Sequence, residues 1–316
     1  MASTFWSADF EFRHDHLRVK KTGARVPYAG GVVKEVLDWY LFFLVVQGMR
    51  VLNGLLGRRG PAVAFTPDAP RPWYLIWAVG RAAGVRAVSD LSSADAVFFF
   101  EDATCSTPPP LAAPPHARLI NFACADVSKS RVAAVFEDVF GYPLAVDPAA
   151  HDGPMVEKSE DNGAHDGRLV DGPREPAPGR VYQRMVDTLR EDGLVEDMRC
   201  PTILGACDVV FLKRRPAATR FANANDEVVL TSADACFSPE ERARLSAFTR
   251  AMGLDWGGLD VLRDRRDGRI YVVDVNKTDM GPPTALRLLD KVRATRRLAR
   301  LFLDRLSHTT DRSAEP

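Results

Sequence analysis

The sequence predicts an α/β protein with more than one lobe, and three observations support this. Strand-like apolar runs alternate with helical segments between residues 62 and 122, the pattern of a small parallel α/β layer. Short strands and a strong hairpin signal at Asp267-Gly268 follow, which favours a mixed α+β region. The chain has 316 residues, more than one small core usually organises, so we expect two or three lobes.

Composition and charge are those of an ordinary soluble globular protein. The chain is 46% hydrophobic and 27% charged, and Lys+Arg and Asp+Glu both number 42. The resulting net charge of zero gives no electrostatic reason to expect a nucleic-acid partner. The five cysteines are scattered and none forms a CxxC pair, which predicts reduced thiols and a cytoplasmic location.

Residues 1–60 are predicted to form an N-terminal helical extension. Residues 1–21 lack the apolar segment of a secretory signal, and Gly30-Gly31 opens a helical segment that Gly57 closes. The apolar stretch from Val36 to Leu56 contains charged and polar residues that are costly in a bilayer. We therefore expect an amphipathic helix packed on its own domain and no integral membrane segment, with peripheral membrane contact as the alternative.

The next segment is predicted to be a small α/β layer at residues 61–126. Strands are expected at Ala62–Phe65, Ala96–Phe100 and Leu119–Phe122, and a helix at Tyr74–Ala83 that Gly84 ends. The layer is Rossmann-like in class but has no GxGxxG fingerprint.

Further elements are expected after residue 126. The helices are predicted at Ser128–Phe140, at Pro239–Met252 with a capping box of Ser238 and Glu241, and at Thr284–Leu306. Strands are predicted near Val181–Val186, Ile203–Leu212 and Glu227–Leu230. The polar, Gly- and Pro-rich segment Asp161–Pro178 is predicted to be a mobile loop, and residues 307–316 a frayed tail.

The strongest functional signal is the predicted hairpin of residues 257–283. Folding the chain at its turn brings Asp260 and Asp274 close to opposite each other, where cross-strand Cβ atoms are roughly 5 Å apart. Asn276 lies two residues further on, on the same face. Facing carboxylates repel unless a cation lies between them, and hard oxygen ligands suit Mg²⁺ better than zinc. From these residues alone, an ordinary surface hairpin with a polar face remains the alternative.

Asp260, followed across the hairpin by Asp274-x-Asn276 and Gly281-Pro282, resembles the metal-binding end of ATP-grasp enzymes. That family includes D-alanine–D-alanine ligase, glutathione synthetase and the ribosomal-protein glutamate ligases. Resemblance to the last group extends upstream through motifs in the same order: Lys129 at a helix start, Lys158 in PMVEKSEDNGAHDG, Tyr182-Gln183-Arg184-Met185-Val186, Asp197-Met198-Arg199, Lys213-Arg214-Arg215, and Arg220 with Asn223.

The resemblance implies an ATP-grasp fold in two lobes at residues 127–306, with the α/β layer as a Rossmann-like pre-ATP-grasp domain. It implies ATP and Mg²⁺ or Mn²⁺ as cofactors. The implied metal ligands are Asp260, Asp274 and Asn276; the implied nucleotide-binding residues are Lys129, Lys158, Gln183, Val186, Asp197 and Arg199; and the implied catalytic residues are Arg220 and Arg214. Arg199 has a competing interpretation as the partner of a carboxylate, and Arg215 as part of a surface basic run.

The resemblance further implies an ATP-dependent ligase. A substrate carboxylate would attack the γ-phosphate, and an amine or a thiol would displace phosphate from the acyl phosphate. The expected partners are small-molecule or peptide carboxylate and amine substrates, and a homodimer is left open. The alternatives are a small-molecule kinase that phosphorylates a hydroxyl and a non-catalytic nucleotide-binding protein of the same fold. Two departures from the family are that Asp274 replaces the commoner Glu and that the loop after Lys158 has few glycines.

Overall fold

The computed structural model describes residues 10–19, 25–27, 30–111, 113–164, 166–221 and 225–307. Within these residues the chain forms helices together with four separate β-sheets, which confirms the predicted mixed α/β class. One sheet is parallel and the other three are antiparallel.

The N-terminal segment contains a small antiparallel sheet before its helix. Its strands are β1 (Phe10–Phe12), β2 (His16–Val19) and β3 (Arg25–Pro27), in the order β1-β2-β3. The N-terminal helical extension predicted for residues 1–60 therefore also contains strands. The alternation of apolar and charged residues in Phe10-Glu11-Phe12 and in Leu17-Arg18-Val19 has the two-residue period of a strand.

Helix α1 (Gly30–Leu55) is present where a helix was predicted. One side of it packs against α2 (Leu75–Ala82) and α6 (Leu288–Ser307). Phe42 and Val46 are buried there in a cluster with Ala78 of α2, and Phe43 stacks on Trp77 at 5.4 Å between ring centroids. In the part of the chain that the structure describes, no helix has the length and apolarity needed to cross a bilayer.

The predicted α/β layer is a four-stranded parallel sheet. Its strands are β4 (Ala62–Pro67), β5 (Arg86–Val88), β6 (Ala96–Phe100) and β7 (Arg118–Ile120), in the order β5-β4-β6-β7. Every residue of β6 is buried, as expected for a continuous apolar run inside a parallel sheet. Gly84 ends the turn after α2 with a φ of +73°.

The second half begins with α3 (Lys129–Phe140), which has Ser128 as N-cap and a left-handed Gly141 as C-cap. Two further helices are α4 (Ala233–Cys236) and α5 (Pro239–Ala251). The predicted capping box is present at the start of α5, where Ser238 and Glu241 exchange side-chain-to-backbone hydrogen bonds of 3.1 and 2.9 Å.

A three-stranded antiparallel sheet, here called the lid sheet, follows α3. It consists of β8 (Gly153–Ser159), β9 (Arg168–Gly172) and β10 (Arg180–Arg184), in the order β10-β8-β9. The prediction of a mobile loop over Asp161–Pro178 is wrong where β9 lies. Its residues pair with β8, and Arg168 adds side-chain contact by bonding to Glu157 at 2.8 Å, so long-range pairing overrides the local Gly and Pro signal.

The large sheet provides the other wall of the second half. Its strands are β11 (Leu194–Ile203), β12 (Ala206–Cys207), β13 (Val209–Pro216), β14 (Glu227–Ser232), β15 (Trp256–Arg263) and β16 (Ile270–Asn276). They run in the order β14-β13-β11-β15-β16, with β12 paired to β11. A single strand at Ile203–Leu212 was wrongly predicted, because Leu204 and Gly205 adopt φ values of +50° and +80° and reverse the chain.

Two cores hold these layers together. One is shared by the parallel sheet, α6 and the large sheet, where Phe98 packs on Trp256 at 6.2 Å. The other lies beneath the hairpin of β15 and β16, where Phe136 packs on Tyr271 at 5.6 Å. The hairpin's outgoing chain also joins the parallel layer, since the Leu75 N–H donates to the Asp279 carbonyl at 2.9 Å.

Candidate active site

The hairpin brings its two aspartates directly together. Asp260 on β15 pairs with Asp274 on β16, one residue pair away from a register shift between Asp260 and Val261. Asn276 pairs with Gly258 two residues further along. The side chains of Asp260 and Asp274 both line one cavity, so the structure realises the convergence that the Asp267-Gly268 turn predicted.

Two cations hold the Asp260 carboxylate. Arg199 Nη1 donates to Oδ2 at 2.8 Å, and Lys213 Nζ donates to Oδ1 at 3.0 Å. Burial opposes ionisation, but the charges of Arg199 and Lys213 hold the pKa of Asp260 well below its usual range. The carboxylate is therefore ionised, and each oxygen keeps a lone pair beyond the one used by its cation.

Arg199 is itself fixed by a second carboxylate, that of Asp279. Its Nη2 and Nε donate to Asp279 Oδ1 at 2.7 and 3.1 Å. Gly258 leaves the space for this pair, because a Cβ there would come within 2.6 Å of Arg199 Nε and 2.7 Å of Asp279 Cγ. Of the two interpretations of Arg199, the structure thus favours the partner of carboxylates. Asp279 was missed by the sequence reasoning, and only the Asp-x-x-x-x-Asp spacing from Asp274 hinted at it.

Asp274 is held by Lys129, the first residue of α3. Lys129 Nζ donates to Asp274 Oδ1 at 2.6 Å and to Asn162 Oδ1 at 3.2 Å. The Asn276 side-chain oxygen accepts from the Thr278 N–H at 3.0 Å. Lys129 therefore neutralises one of the facing aspartates from outside the hairpin and ties the loop after β8 to the same point.

A cavity of about 180 Å³ separates the lid sheet from the large sheet at this point. It is lined by Val156, Lys158, Gln183, Arg184, Met185, Val186, Thr188, Val195, Asp197, Arg220, Phe221, Asp260, Leu262, Val273 and Asp274. Five of the residues predicted to bind nucleotide or phosphate thus line the same cavity as the two aspartates: Lys158, Gln183, Val186, Asp197 and Arg220.

Lys158 and Gln183 face this cavity from the lid sheet. Lys158 Nζ contacts the Val273 carbonyl at 3.3 Å, and burial lowers its pKa to about 8 against the pull of Asp274. Gln183 is buried, and its Nε2 atom has no hydrogen-bond partner among the described residues. A buried amide without a partner is costly, so the Gln183 side chain is suited to bind a polar ligand edge.

The basic run on β13 divides between two faces of the large sheet. Lys213 and Arg215 point to the cavity side, where they bond to Asp260 and Asp197. Arg214 points the other way and pairs with Glu196 and Glu227, each at 2.7 Å. The predicted catalytic position of Arg214 is therefore wrong, since strand alternation puts its side chain behind the sheet. Arg215, interpreted as a surface residue, is 5% exposed.

Asp197 and Arg220 complete the cavity wall away from the hairpin. Burial raises the pKa of Asp197 despite the adjacent Arg215, and burial lowers that of Arg220. The Arg220 guanidinium lies 2.9 Å from the Met185 sulfur, a weak acceptor that leaves its donors free for a stronger one. Asn223, predicted to accompany Arg220, lies outside the described residues.

The chain leaving the hairpin is bound to the parallel layer. Lys277 is 2% exposed and donates to Ser106 at 2.5 Å, and Thr278 bonds to Asp102 at 2.9 Å. Asp102 also accepts from the Tyr74 hydroxyl at 3.2 Å. Lys277 therefore turns away from the aspartates, and the end of the hairpin is fixed against the parallel sheet.

The candidate metal ligands fit a hard divalent cation in their chemistry. Within the described residues, no group of three or more His, Cys, Asp and Glu side chains could hold a metal ion. The set formed by Asp260, Asp274 and Asn276 is different, because it consists of two carboxylates and an amide. Their oxygens are the donors that Mg²⁺ or Mn²⁺ prefers when phosphate and water supply the remaining ligands.

Comparisons with known proteins complete this description. No protein-family model matches the sequence, and no curated protein is significantly similar to it. The chain is similar to the ATP-grasp ligase PsnB complexed with minimal precursor, Mg and ADP, with 13% identity over 76% of this chain and 98% of that one, at a TM-score of 0.47. With a phosphomimetic precursor variant, PsnB matches over 58% of this chain and 62% of that one, at 16% identity and a TM-score of 0.39.

Two further solved structures are similar. The D-alanine–D-alanine ligase from Bacillus anthracis complexed with ATP is 12% identical over 81% of this chain and all of that one, at a TM-score of 0.47. The RimK domain protein ATP-grasp from Sphaerobacter thermophilus is 17% identical over 77% of this chain and 98% of that one, at a TM-score of 0.43. The chain is thus similar to solved structures of ATP-grasp proteins and of a D-alanine–D-alanine ligase.

Proposed function

We propose that this chain is an ATP-grasp enzyme that uses ATP and Mg²⁺ or Mn²⁺ to ligate a carboxylate to an amine or a thiol. The observation that carries the proposal is the direct pairing of Asp260 with Asp274 at the floor of a cavity rich in cations. The described charges around it are the cations Lys129, Lys158, Arg184, Arg199, Lys213, Arg215 and Arg220 and the carboxylates Asp197, Asp260, Asp274 and Asp279.

This cluster has three more cations than carboxylates. An uncompensated positive charge in a half-buried cavity is costly unless a polyanion binds there. Among the residues that the structure describes, neither Lys158 nor Arg220 donates to a carboxylate, and both line the cavity. The triphosphate of ATP is a polyanion of suitable charge, and Lys158 and Arg220 are its nearest donors. The buried Gln183 amide and the Asp197 carboxylate would bind the base edge and a ribose hydroxyl.

The chain's own groups then suit phosphoryl transfer. A bound divalent cation held by Asp260, Asp274 and Asn276 would neutralise charge on the phosphate oxygens. Lys158 and Arg220 would stabilise charge on the transferring group, where positioning and electrostatics supply most of the rate. Lys129 and Arg199 keep the two aspartates fixed, so little reorganisation accompanies the reaction.

The proposed reaction has two steps. An oxygen of the substrate carboxylate forms a bond to the γ-phosphorus, and the bond from that phosphorus to the β–γ bridging oxygen breaks, releasing ADP. The amine nitrogen then attacks the acyl carbon, phosphate leaves, and the proton of the amine is lost to solvent. The lid sheet would shield the acyl phosphate from water.

The test begins with nucleotide binding, measured by calorimetry with and without Mg²⁺. We expect ATP binding that Mg²⁺ strengthens, with the Mg²⁺ effect lost in Asp274→Ala and Asn276→Ala and kept in the control Glu227→Ala behind the sheet. No measurable affinity for ATP would overturn the proposal. Assays with amino acids and short peptides should release ADP together with free phosphate; phosphate that stays on a hydroxyl acceptor would identify a kinase instead.

A further inference from the structure

Helix α1 exposes one whole side of its surface. Ten large apolar side chains between Val36 and Leu56 are 36% to 80% exposed, whereas Phe42 and Val46 on the other side are buried against α2 and α6. At roughly 100 Å² each, the exposed ones present on the order of 1,000 Å². The largest apolar patch on a typical monomer is about 300–600 Å², so this surface is larger than isolated chains usually leave in water.

The exposed side has a regular stripe. Leu37, Leu41, Leu44, Gly48, Val51 and Leu55 follow one another at alternating spacings of four and three residues. This is the heptad spacing that lets two helices pack side by side with knobs in holes. Gly48 lies in this stripe with open space where a Cβ would be, so a partner helix can approach closely there.

The geometry points to a second copy of this chain as the partner of the α1 stripe, the two helices packing face to face across a two-fold axis. The area agrees with this occupant, since a standard interface buries about 800 Å² on each partner. A self-complementary helix stripe also satisfies the requirement that a two-fold interface uses one surface twice.

The charges beside the stripe favour protein over lipid. Along the helix, Lys34 and Arg50 are balanced by Glu35 and Asp38, and the basic excess is confined to Arg58 and Arg59 beyond its end, so no basic rim runs along the stripe. An interfacial membrane helix keeps a charged face toward water, but the side of α1 opposite the stripe is packed into the protein. This surface is separate from the cavity of Asp260 and Asp274, so it does not depend on the proposed function.

The test is sedimentation velocity of the full-length chain across micromolar concentrations. We expect a dimer that Leu44→Glu and Val51→Glu each weaken by at least about a hundredfold, because a buried charge at the centre of an interface is strongly unfavourable. The matched control is Leu119→Glu on β7, where the leucine is 44% exposed against 47% for Leu44, and it should leave the dimer unchanged. Circular dichroism melting checks that each variant is folded.

Three outcomes would overturn this inference. One is a wild-type chain that stays monomeric at every concentration, and another is a dimer that both folded stripe variants retain. The third is a monomer that co-sediments with phosphatidylcholine or phosphatidylserine vesicles and loses this binding in Leu44→Glu, since lipid would then be the occupant.

Discussion

The two faces of the large sheet carry similar charges in different arrangements. Behind the sheet, Arg214 pairs with the carboxylates of Glu196 and Glu227, Arg190 also donates to Glu196 at 3.1 Å, and Glu227 is half exposed. On the cavity face, Asp260 faces Asp274, and each is held by cations from other elements. One face is thus neutral and wet, while the other gathers like charges in a half-buried space that a ligand can complete.

The difference between the two faces shows which kind of charge cluster is a candidate ligand-binding site. An exposed pair such as Arg214–Glu227 contributes little free energy of folding, usually less than about 1 kcal/mol. Opposed carboxylates and surplus cations cost stability in the absence of a ligand. Their persistence on the cavity face therefore favours a function for that face, and variants of matched residues on the two faces can test this.

The largest effect is expected from a pair of single variants, each of which replaces one carboxylate by its amide, one on each face of the large sheet. Asp260→Asn should lower ligase turnover on the order of 10³-fold, because it removes a charge that acts on the phosphates. Glu196→Gln behind the sheet should change turnover by less than about threefold, since its contribution is an ion pair of the folded chain. Steady-state ADP release at saturating ATP measures both.

Thermal unfolding provides the control for this pair. The two variants should be folded at the assay temperature, so that any difference in turnover reflects the function of the face and not a loss of folded protein. Equal losses of turnover in the folded variants would mean that the two faces do not differ in function.

A smaller effect is expected from replacing, one at a time, two neighbouring cationic residues of β13. Lys213→Met should lower turnover about a hundredfold, because Asp260 loses one of its two donors and its charge is less well fixed. Arg214→Met should leave turnover within about threefold and lower the unfolding free energy by about 1 kcal/mol or less. If Arg214→Met is the more damaging variant for turnover, the face assigned to each side chain is wrong.

The same neighbouring residues of β13 show how much of the site could be predicted from the sequence. Strand alternation predicts that Lys213 and Arg215 share a face that excludes Arg214, but choosing which face meets Asp260 requires the pairing of β11 with β13 and β15. The hairpin was predictable because Asp267-Gly268 is a local turn signal, whereas the register that pairs Asp260 with Asp274 also depends on the shift between Asp260 and Val261. The Arg199–Asp279 pair was not, because its partners are 80 residues apart and meet only where Gly258 leaves room.

The sequence also failed to predict elements whose local signals are weak. β9 lies in a Gly- and Pro-rich segment and is stabilised by pairing with β8, and the reversal at Leu204-Gly205 interrupts an apolar run that has no Pro to mark it. At β9 the decisive interaction is pairing with another strand, which no local pattern predicts. The reversal at Leu204-Gly205 is a two-residue turn that pairs Ile203 with Ala206, and Gly205 was its local signal. The apolar spacing of α1 can be recognised in the sequence, but which side of the helix is buried depends on its packing against α2 and α6.

The smallest effect concerns protonation of Lys158 on the cavity face. Burial lowers the pKa of Lys158 to about 8, so part of the population is uncharged above that pH. Bound phosphate should restore the pKa toward its ordinary range, and ATP binding at pH 8.5 should then take up about 0.7 proton. At pH 6.5 this uptake should vanish, because Lys158 is already protonated in the free chain.

Calorimetry in buffers of different ionisation enthalpy measures the uptake, and Lys158→Arg is the matched control because its guanidinium stays charged. The pH dependence of the unfolding free energy has a defined sign as well. Between pH 8 and 10.5 the unfolded chain binds more protons at Lys158 than the folded chain does, so the unfolding free energy should rise with pH relative to Lys158→Arg. Equal proton uptake in both proteins would mean that Lys158 does not meet the nucleotide's phosphates, and the cavity face would then bind its anion through its other cations.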